Sequence, residues 1–234
     1  MEIEQFLNCT YLGDVISKSI LRTPTKYYAR DHQVPYDSTF SRMDLINRCI
    51  KHFEFDSYLE IGVSIPEKCF DLIDLQEKIG VDPDPAARAT HCMTSDDFFE
   101  QNTKKFDLVF VDGLHEREQV IRDIENSLDA LKENGLIICH DMNPAGESNQ
   151  LWPRPKAGGV WNGNCWEAWV TLRKVRNDVQ MFVINADEGL GVVRKGSQKL
   201  LKAPENPCYR MFSKYRREWL NLTSTKDLEM HLFR

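Results

Sequence analysis

The stretch FDLVFVDGLHEREQVIRDI, residues 106–124, decides the fold. Its opening six positions, FDLVFV, hold five apolar residues. That is too many for an amphipathic strand, so the segment reads as a strand covered on both faces, as in the middle of a parallel sheet. It stops at Asp112-Gly113. The continuation, EREQVIRDIENSLDALKENG, sets Val120, Ile124, Leu128 and Leu131 on one helical face and closes at Gly135, where a helix C-cap is expected. A buried strand feeding an amphipathic helix is half of a βαβ unit.

The same rhythm extends in both directions. Upstream, SRMDLINRCIKHF carries Met43, Ile46, Ile50 and Phe53 at helical spacing, and DSYLEIGV (56–63) reads as a buried strand ending in Glu60 and Gly62. IPEKCFDLI follows with Pro66 in a first helical turn, so a helix is expected there. KIGVDPDP is a short strand stopped by Asp and Pro, and THCMTSDDFFEQN is a helix that Ser95 can cap, with Asp96 and Asp97 in its first turn. Downstream, LIICHD is a further buried strand. VQMFVINAD and LGVVRKG then read as a terminal hairpin joined at Glu188-Gly189. The fold expected is α/β, a doubly wound and mostly parallel sheet with a C-terminal antiparallel hairpin.

In such sheets ligands bind beyond the carboxyl ends of the strands, at the topological switch. The polar residues of interest stand there: Glu60 and Gly62, Asp82, Asp112, and His140-Asp141. Gly62 permits close backbone approach, and Asp82, 20 residues on, is placed to accept two ribose hydroxyls. The loop itself, Gly62-Val63-Ser64-Ile65-Pro66, has one glycine. A dinucleotide fold needs G-x-G-x-x-G to bring pyrophosphate to a helix N-terminus, so a phosphate-free cofactor is favoured.

LEIGV, GVDPDP, FDLVFVDGLHEREQVIRDI and NGLIICHDMNP, in that order, resemble the class I S-adenosylmethionine-dependent methyltransferases, Rossmann-like proteins with a seven-stranded sheet. Within that class the pattern is most similar to the macrocin and mycinamicin type of sugar O-methyltransferase, over about residues 40–196. The resemblance implies that Glu60 and Gly62 line the methionine part of the cofactor, that Asp82 binds ribose, and that Thr94, Ser95 and Asp96 lie beside adenine. It further implies a D-x-x-H element, Asp112 to His115, in which the aspartate binds a divalent metal such as Mg²⁺ and the histidine is the general base. Asp141 would complete the metal site and His140 is the rival base. Two positions depart from the family pattern: Ile65-Pro66 replaces a second glycine, and His140 stands where a carboxylate is usual, which suits Mg²⁺ less well.

The division implied is an N-terminal helical or loop cap over 1–40, the methyltransferase domain over 41–196, and a C-terminal helical extension over 197–234. That extension holds eight Lys/Arg against four Asp/Glu, with Tyr209, Phe212, Tyr215 and Trp219 interleaved. It reads as a packed helix. The long segment from Asn143 to Gly163, rich in Gly, Pro and Asn, exceeds an ordinary connection and places Trp161, Asn162 and Trp166 where they could close over an acceptor.

The composition fits this picture. The 234 residues suffice for one large domain, and at 41% hydrophobic and 28% charged the chain is an ordinary globular one. A net charge of −6 argues against broad attraction to nucleic acid or an anionic membrane. No apolar run reaches a membrane span and the N-terminus lacks secretory-signal character, so a cytoplasmic protein is expected. Seven scattered cysteines, none in CxxC, indicate neither a disulfide framework nor a zinc site. The partner expected is a small-molecule acceptor, a sugar or glycan foremost, and a homo-oligomer is compatible with the sequence. Two alternatives stay open: a catalytically inactive Rossmann-like binding module, and a different nucleotide-cofactor enzyme on the same fold.

Overall fold

The computed structural model describes residues 34–156 and 158–233. The expected cap over 1–40 falls almost wholly outside the described residues. Helix α1 (Arg42–Phe53) leads into β1 (Tyr58–Ile61) and β2 (Lys78–Val81). Next come α2 (Ser95–Gln101), β3 (Phe106–Val111), α3 (Arg117–Ala130) and β4 (Leu131–Cys139). After the long loop follow α4 (Cys165–Val175), β5 (Val179–Ile184), β6 (Leu190–Lys195), α5 (Tyr209–Leu220), β7 (Leu222–Thr223) and α6 (Leu228–His231).

These strands form one seven-stranded sheet in the order β2-β1-β3-β4-β6-β5-β7. β2, β1, β3 and β4 run parallel, and β6 enters antiparallel to both β4 and β5, which is the expected terminal hairpin. The two-residue β7 pairs parallel with β5. The sheet is therefore Rossmann-like and doubly wound, and its direction of growth reverses between β1 and β3.

Both faces of the sheet are buried, as the apolar strand compositions require. Leu59, Ile61, Val109, Val111 and Ile137 turn towards a core shared with α3, α4 and α5. Tyr58, Leu108, Phe110, Leu136 and Ile138 face α1 and the chain end at Leu228, Leu232 and Phe233. Trp166, fully buried, stacks against Phe212 and Trp219 and belongs to the first of these cores.

Four local expectations are corrected. The segment after β1 forms two 3₁₀ turns, Pro66–Lys68 and Phe70–Leu72, in place of an α-helix. Lys78 Nζ donates to the carbonyls of Phe70 and Ile73, and Asn47 Nδ2 donates to Leu72, so side chains take carbonyls that a helix would have used. Gly135 is no C-cap: α3 ends at Ala130 and Leu131 already pairs with Phe106 at the start of β4. The cap of α2 is Thr94, whose side chain accepts from the Asp97 amide, while Ser95 is the first helical residue. Finally, Cys208 is disulfide-bonded, so the cysteines are not all free thiols. Among the described residues, no helix is long and apolar enough to cross a membrane.

Candidate active site

The strand registers build the site. Ile61 pairs with both Val81 and Val111, and Val111 pairs with Cys139. The next residue on each strand therefore falls in one row: Gly62, Asp82, Asp112 and His140. Adjacent strands stand about 4.8 Å apart, so the four candidate positions are set side by side by backbone pairing alone. Gly62 has φ +87°, and a Cβ on it would lie 2.2 Å from the Asp112 carbonyl oxygen. Only glycine fits where the loops after β1 and β3 touch.

Asp82 is buried, with Oδ2 accepting from the Ser64 amide at 2.9 Å and Oδ1 from the Asp84 amide at 2.8 Å. Each oxygen keeps a second acceptor direction for a ligand hydroxyl. Glu60 is 1% exposed and receives the Tyr58 hydroxyl at 2.5 Å. Burial pushes its carboxyl up to about 7, against the opposing hydrogen bond from Tyr58. Ser95 and Asp96 join a separate network, in which Ser95 donates to Asp123 and Gln119 Nε2 reaches Ser95, Asp96 and Asp123, while the Thr94 hydroxyl donates to Asp97.

The other sequence-predicted residues converge. His115 Nε2 lies 3.2 Å from Asp112 Oδ1, and its Nδ1 lies 3.3 Å from Asp141 Oδ2 without hydrogen-bond geometry. His140 Nδ1 is 2.9 Å from Asp141 Oδ2 and 3.4 Å from Asp112 Oδ1. Asp141 itself sits at φ +66°, and its Oδ1 accepts from the buried Asn162 amide at 2.5 Å. Gly163 follows with φ +60°, and a Cβ there would stand 2.0 Å from the His115 carbonyl oxygen. The long loop thus folds back onto the D-x-x-H turn.

Two residues that sequence reasoning missed complete the cluster. Arg42, at the first turn of α1, donates Nη1 to Asp112 Oδ2 at 2.6 Å. Its Nε, Nη2 and backbone amide all go to Asp187, which lies in the turn between β5 and β6. Asp187 Oδ1 also stands 3.3 Å from His140 Nε2. In sequence, Arg42 stood within the helical segment SRMDLINRCIKHF and Asp187 at the end of the strand-like VQMFVINAD, and nothing local paired the two.

The charges reinforce one another. Burial works against ionisation of Asp112, but His140, His115 and Arg42 outweigh it and hold the carboxyl well below the usual range. Burial likewise opposes protonation of His140, but Asp141 and Asp112 lift its pKa well above the ordinary value. For His115, Asp112 and Asp141 raise the pKa in spite of desolvation. His140, 5% exposed and bracketed by three carboxylates, is enclosed, whereas His115 carries the edge of the site towards the loop. There its ring stacks on Trp161, which stacks in turn on the half-exposed Trp152.

The D-x-x-H pair and Asp141 offer three ligand atoms within 4.8 Å of one another. As donors they fit Mg²⁺ poorly. Mg²⁺ requires a near-octahedral shell dominated by oxygens, and here the two carboxylates are already paired with Arg42, His140 and Asn162 beside the His115 imidazole. A phosphate-free nucleoside cofactor fits better: Asp82 is hydrogen-bonded to the single-glycine loop through the Ser64 amide, and no α-helix lies between β1 and β2 to receive a pyrophosphate.

Residues 75–142, from just before β2 to just beyond Asp141, match a family model described as a methyltransferase domain. The fold is that of the S-adenosylmethionine-dependent methyltransferases. Among solved structures, the SAH-bound methyltransferase PaMTH1 of Podospora anserina is similar at TM-score 0.50 and 15% identity, over 67% of this chain and 78% of that one. An O-methyltransferase of Bacillus cereus in complex with SAH is similar at 0.50 and 12%, over 70% and 85%. The cofactor-bound Rv0187 from MTB is similar at 0.51 and 12%, over 84% and 97%. At such identities the likeness is one of fold. No curated protein matches the chain in sequence. The methyltransferase-domain match contains Asp82, Thr94, Ser95, Asp96, Asp112, His115, His140 and Asp141, and leaves Arg42, Glu60, Gly62 and Asp187 outside it.

Proposed function

We propose that the protein transfers the methyl group of S-adenosylmethionine to a hydroxyl oxygen of a small-molecule acceptor, with His115 as general base. The observation that carries this reading is the row of Gly62, Asp82 and Asp112 at the strand ends, beside a loop that leads into 3₁₀ turns in place of an α-helix that could receive a phosphate. That combination favours a nucleoside cofactor without pyrophosphate over a nicotinamide or nucleotide-sugar enzyme.

The cofactor supplies an electrophilic methyl on a sulfonium. The chain's part is alignment and proton removal. Asp82 would hold the ribose, and Gly62 would admit the cofactor close to the backbone beside Glu60. Asp112 pairs with His115 Nε2 and orients the imidazole that takes the acceptor's proton. Asp141, 3.3 Å from His115 Nδ1, stabilises the imidazolium formed. Transfer would join the acceptor oxygen to the methyl carbon, leave the carbon–sulfur electron pair on sulfur and pass the proton to His115. Trp161 and Trp152 extend the histidine outward as an aromatic ladder on which the face of a sugar or other ring packs.

Calorimetric titration with S-adenosylhomocysteine tests the reading. Wild type binds, Asp82→Ala loses most of the affinity, and His115→Ala binds but transfers no methyl. Absence of binding to folded wild-type protein would reject the cofactor and favour an inactive binding module.

A further inference from the structure

The two carboxylates that the family pattern assigns to a metal are already saturated by the chain itself. Asp112 Oδ2 holds Arg42 Nη1 at 2.6 Å, and Oδ1 faces His115 Nε2 at 3.2 Å and His140 Nδ1 at 3.4 Å. Asp141 Oδ1 accepts from Asn162, and Oδ2 faces His140 at 2.9 Å and His115 at 3.3 Å. All four oxygens therefore meet nitrogen donors, and a divalent ion would have to displace them one by one.

Arg42 is the hardest of these to displace. Its guanidinium forks onto Asp187, with Nε 3.0 Å from Oδ2 and Nη2 3.3 Å from Oδ1. The backbone amide of the same residue donates to Oδ2 at 2.8 Å. The residue is rooted in a helix start closed by a capping box between Ser41 and Asp44. A two-armed pairing of this kind fixes both position and orientation, and a guanidinium keeps its charge at any pH the fold survives. The side chain is 24% exposed and that of Asp112 is 16% exposed, so the pair is poorly screened by water.

From this geometry we infer that Arg42 is the resident cation of the site: a positioning residue that neutralises Asp112 and holds it against His115, where related patterns use a divalent metal. The inference rests on the methyltransferase reading for its catalytic meaning, but its test does not. Purified full-length protein is titrated calorimetrically with MgCl₂, and separately with S-adenosylhomocysteine in Mg²⁺ and in EDTA. Wild type is expected to give no saturable Mg²⁺ heat and the same S-adenosylhomocysteine affinity in both buffers. Arg42→Met, checked for folding by circular dichroism, is expected to acquire a Mg²⁺ heat that Asp112→Asn removes. Saturable Mg²⁺ binding by wild type that Asp141→Asn abolishes would overturn the inference. A folded Arg42→Met protein silent to Mg²⁺ would overturn the part assigned to Arg42. If S-adenosylhomocysteine binds in neither buffer, the methyltransferase reading fails while the Mg²⁺ titration still decides the role of Arg42.

Discussion

The imidazole of His115 lies flat against the indole of Trp161, ring centroids 4.8 Å apart and planes inclined by 15°. The indole is itself held by its Nε1–H, which donates to the Leu151 carbonyl at 2.7 Å. The imidazole is thus steadied from outside the sheet, by a loop residue 46 positions further along the chain. Aromatic stacks of this type contribute about 0.5–1.5 kcal/mol beyond burial. Trp161→Ala is expected to lower kcat/KM for the acceptor about 2- to 10-fold while leaving S-adenosylhomocysteine affinity unchanged. Steady-state kinetics beside calorimetry checks it, and equal losses in both would place Trp161 in the cofactor site.

A base works only when unprotonated. Asp112 and Asp141 raise the pKa of His115 against the effect of burial, so its neutral form appears above the ordinary histidine range. kcat/KM should therefore climb with pH along a limb lying above about 6.5. Removing the Asp141 charge takes away one of the groups that raise the pKa, so Asp141→Asn should shift that limb to lower pH even as the maximal rate falls. A limb that stays in place in the variant would sever Asp141 from the proton transfer.

Glu60 ties the site to the stability of the fold. Burial lifts its pKa from 4.5 to about 7, so the folded state holds a proton that the unfolded chain releases near 4.5. Its stabilising contribution is complete below about pH 4.5 and is lost as pH rises to about 7. At about 1.4 kcal/mol per pH unit the loss is at most about 3 kcal/mol. Glu60→Gln should flatten this part of the stability profile, seen as a higher melting temperature than wild type at pH 8 and little difference at pH 4.5.

Gly163 is the point where the long loop meets the D-x-x-H turn. With φ +60° and a would-be Cβ 2.0 Å from the His115 carbonyl oxygen, alanine there both strains the backbone and pushes the turn away. Gly163→Ala should cost about 1–3 kcal/mol of stability and most of the acceptor turnover. By contrast Gly158→Ala, whose Cβ would meet nothing within 4 Å, should carry backbone strain alone and keep the turnover. Denaturant unfolding and activity of the pair separate the two effects.

The fold was legible because its deciding signals are local. FDLVFV can only be a strand covered on both faces, and each acidic residue that ends an apolar run falls where parallel pairing aligns the strand ends, which is why Gly62, Asp82, Asp112 and His140 could be placed before their register was seen. What stayed hidden depends on distant partners. Arg42 is 70 residues from Asp112 and 145 from Asp187, and only the completed sheet brings them together. The helix expected after β1 fails for a similar reason, since Lys78 and Asn47 take carbonyls that short-range propensity would have given to the helix. Gly135 marks a chain reversal in pattern, but the extended pairing of Leu131 with Phe106 overrides it.

The Arg42–Asp187 fork also bears on the order in which the chain is made. Synthesis delivers α1 first and the β5–β6 turn late. Until that turn emerges, the growing polypeptide carries Arg42, Asp112 and Asp141 without the carboxylate that orients the guanidinium. A fragment ending after β4 would contain every residue of the D-x-x-H motif and still lack the carboxylate that orients Arg42, so the centre takes its final charge arrangement only once the β5–β6 turn has been made.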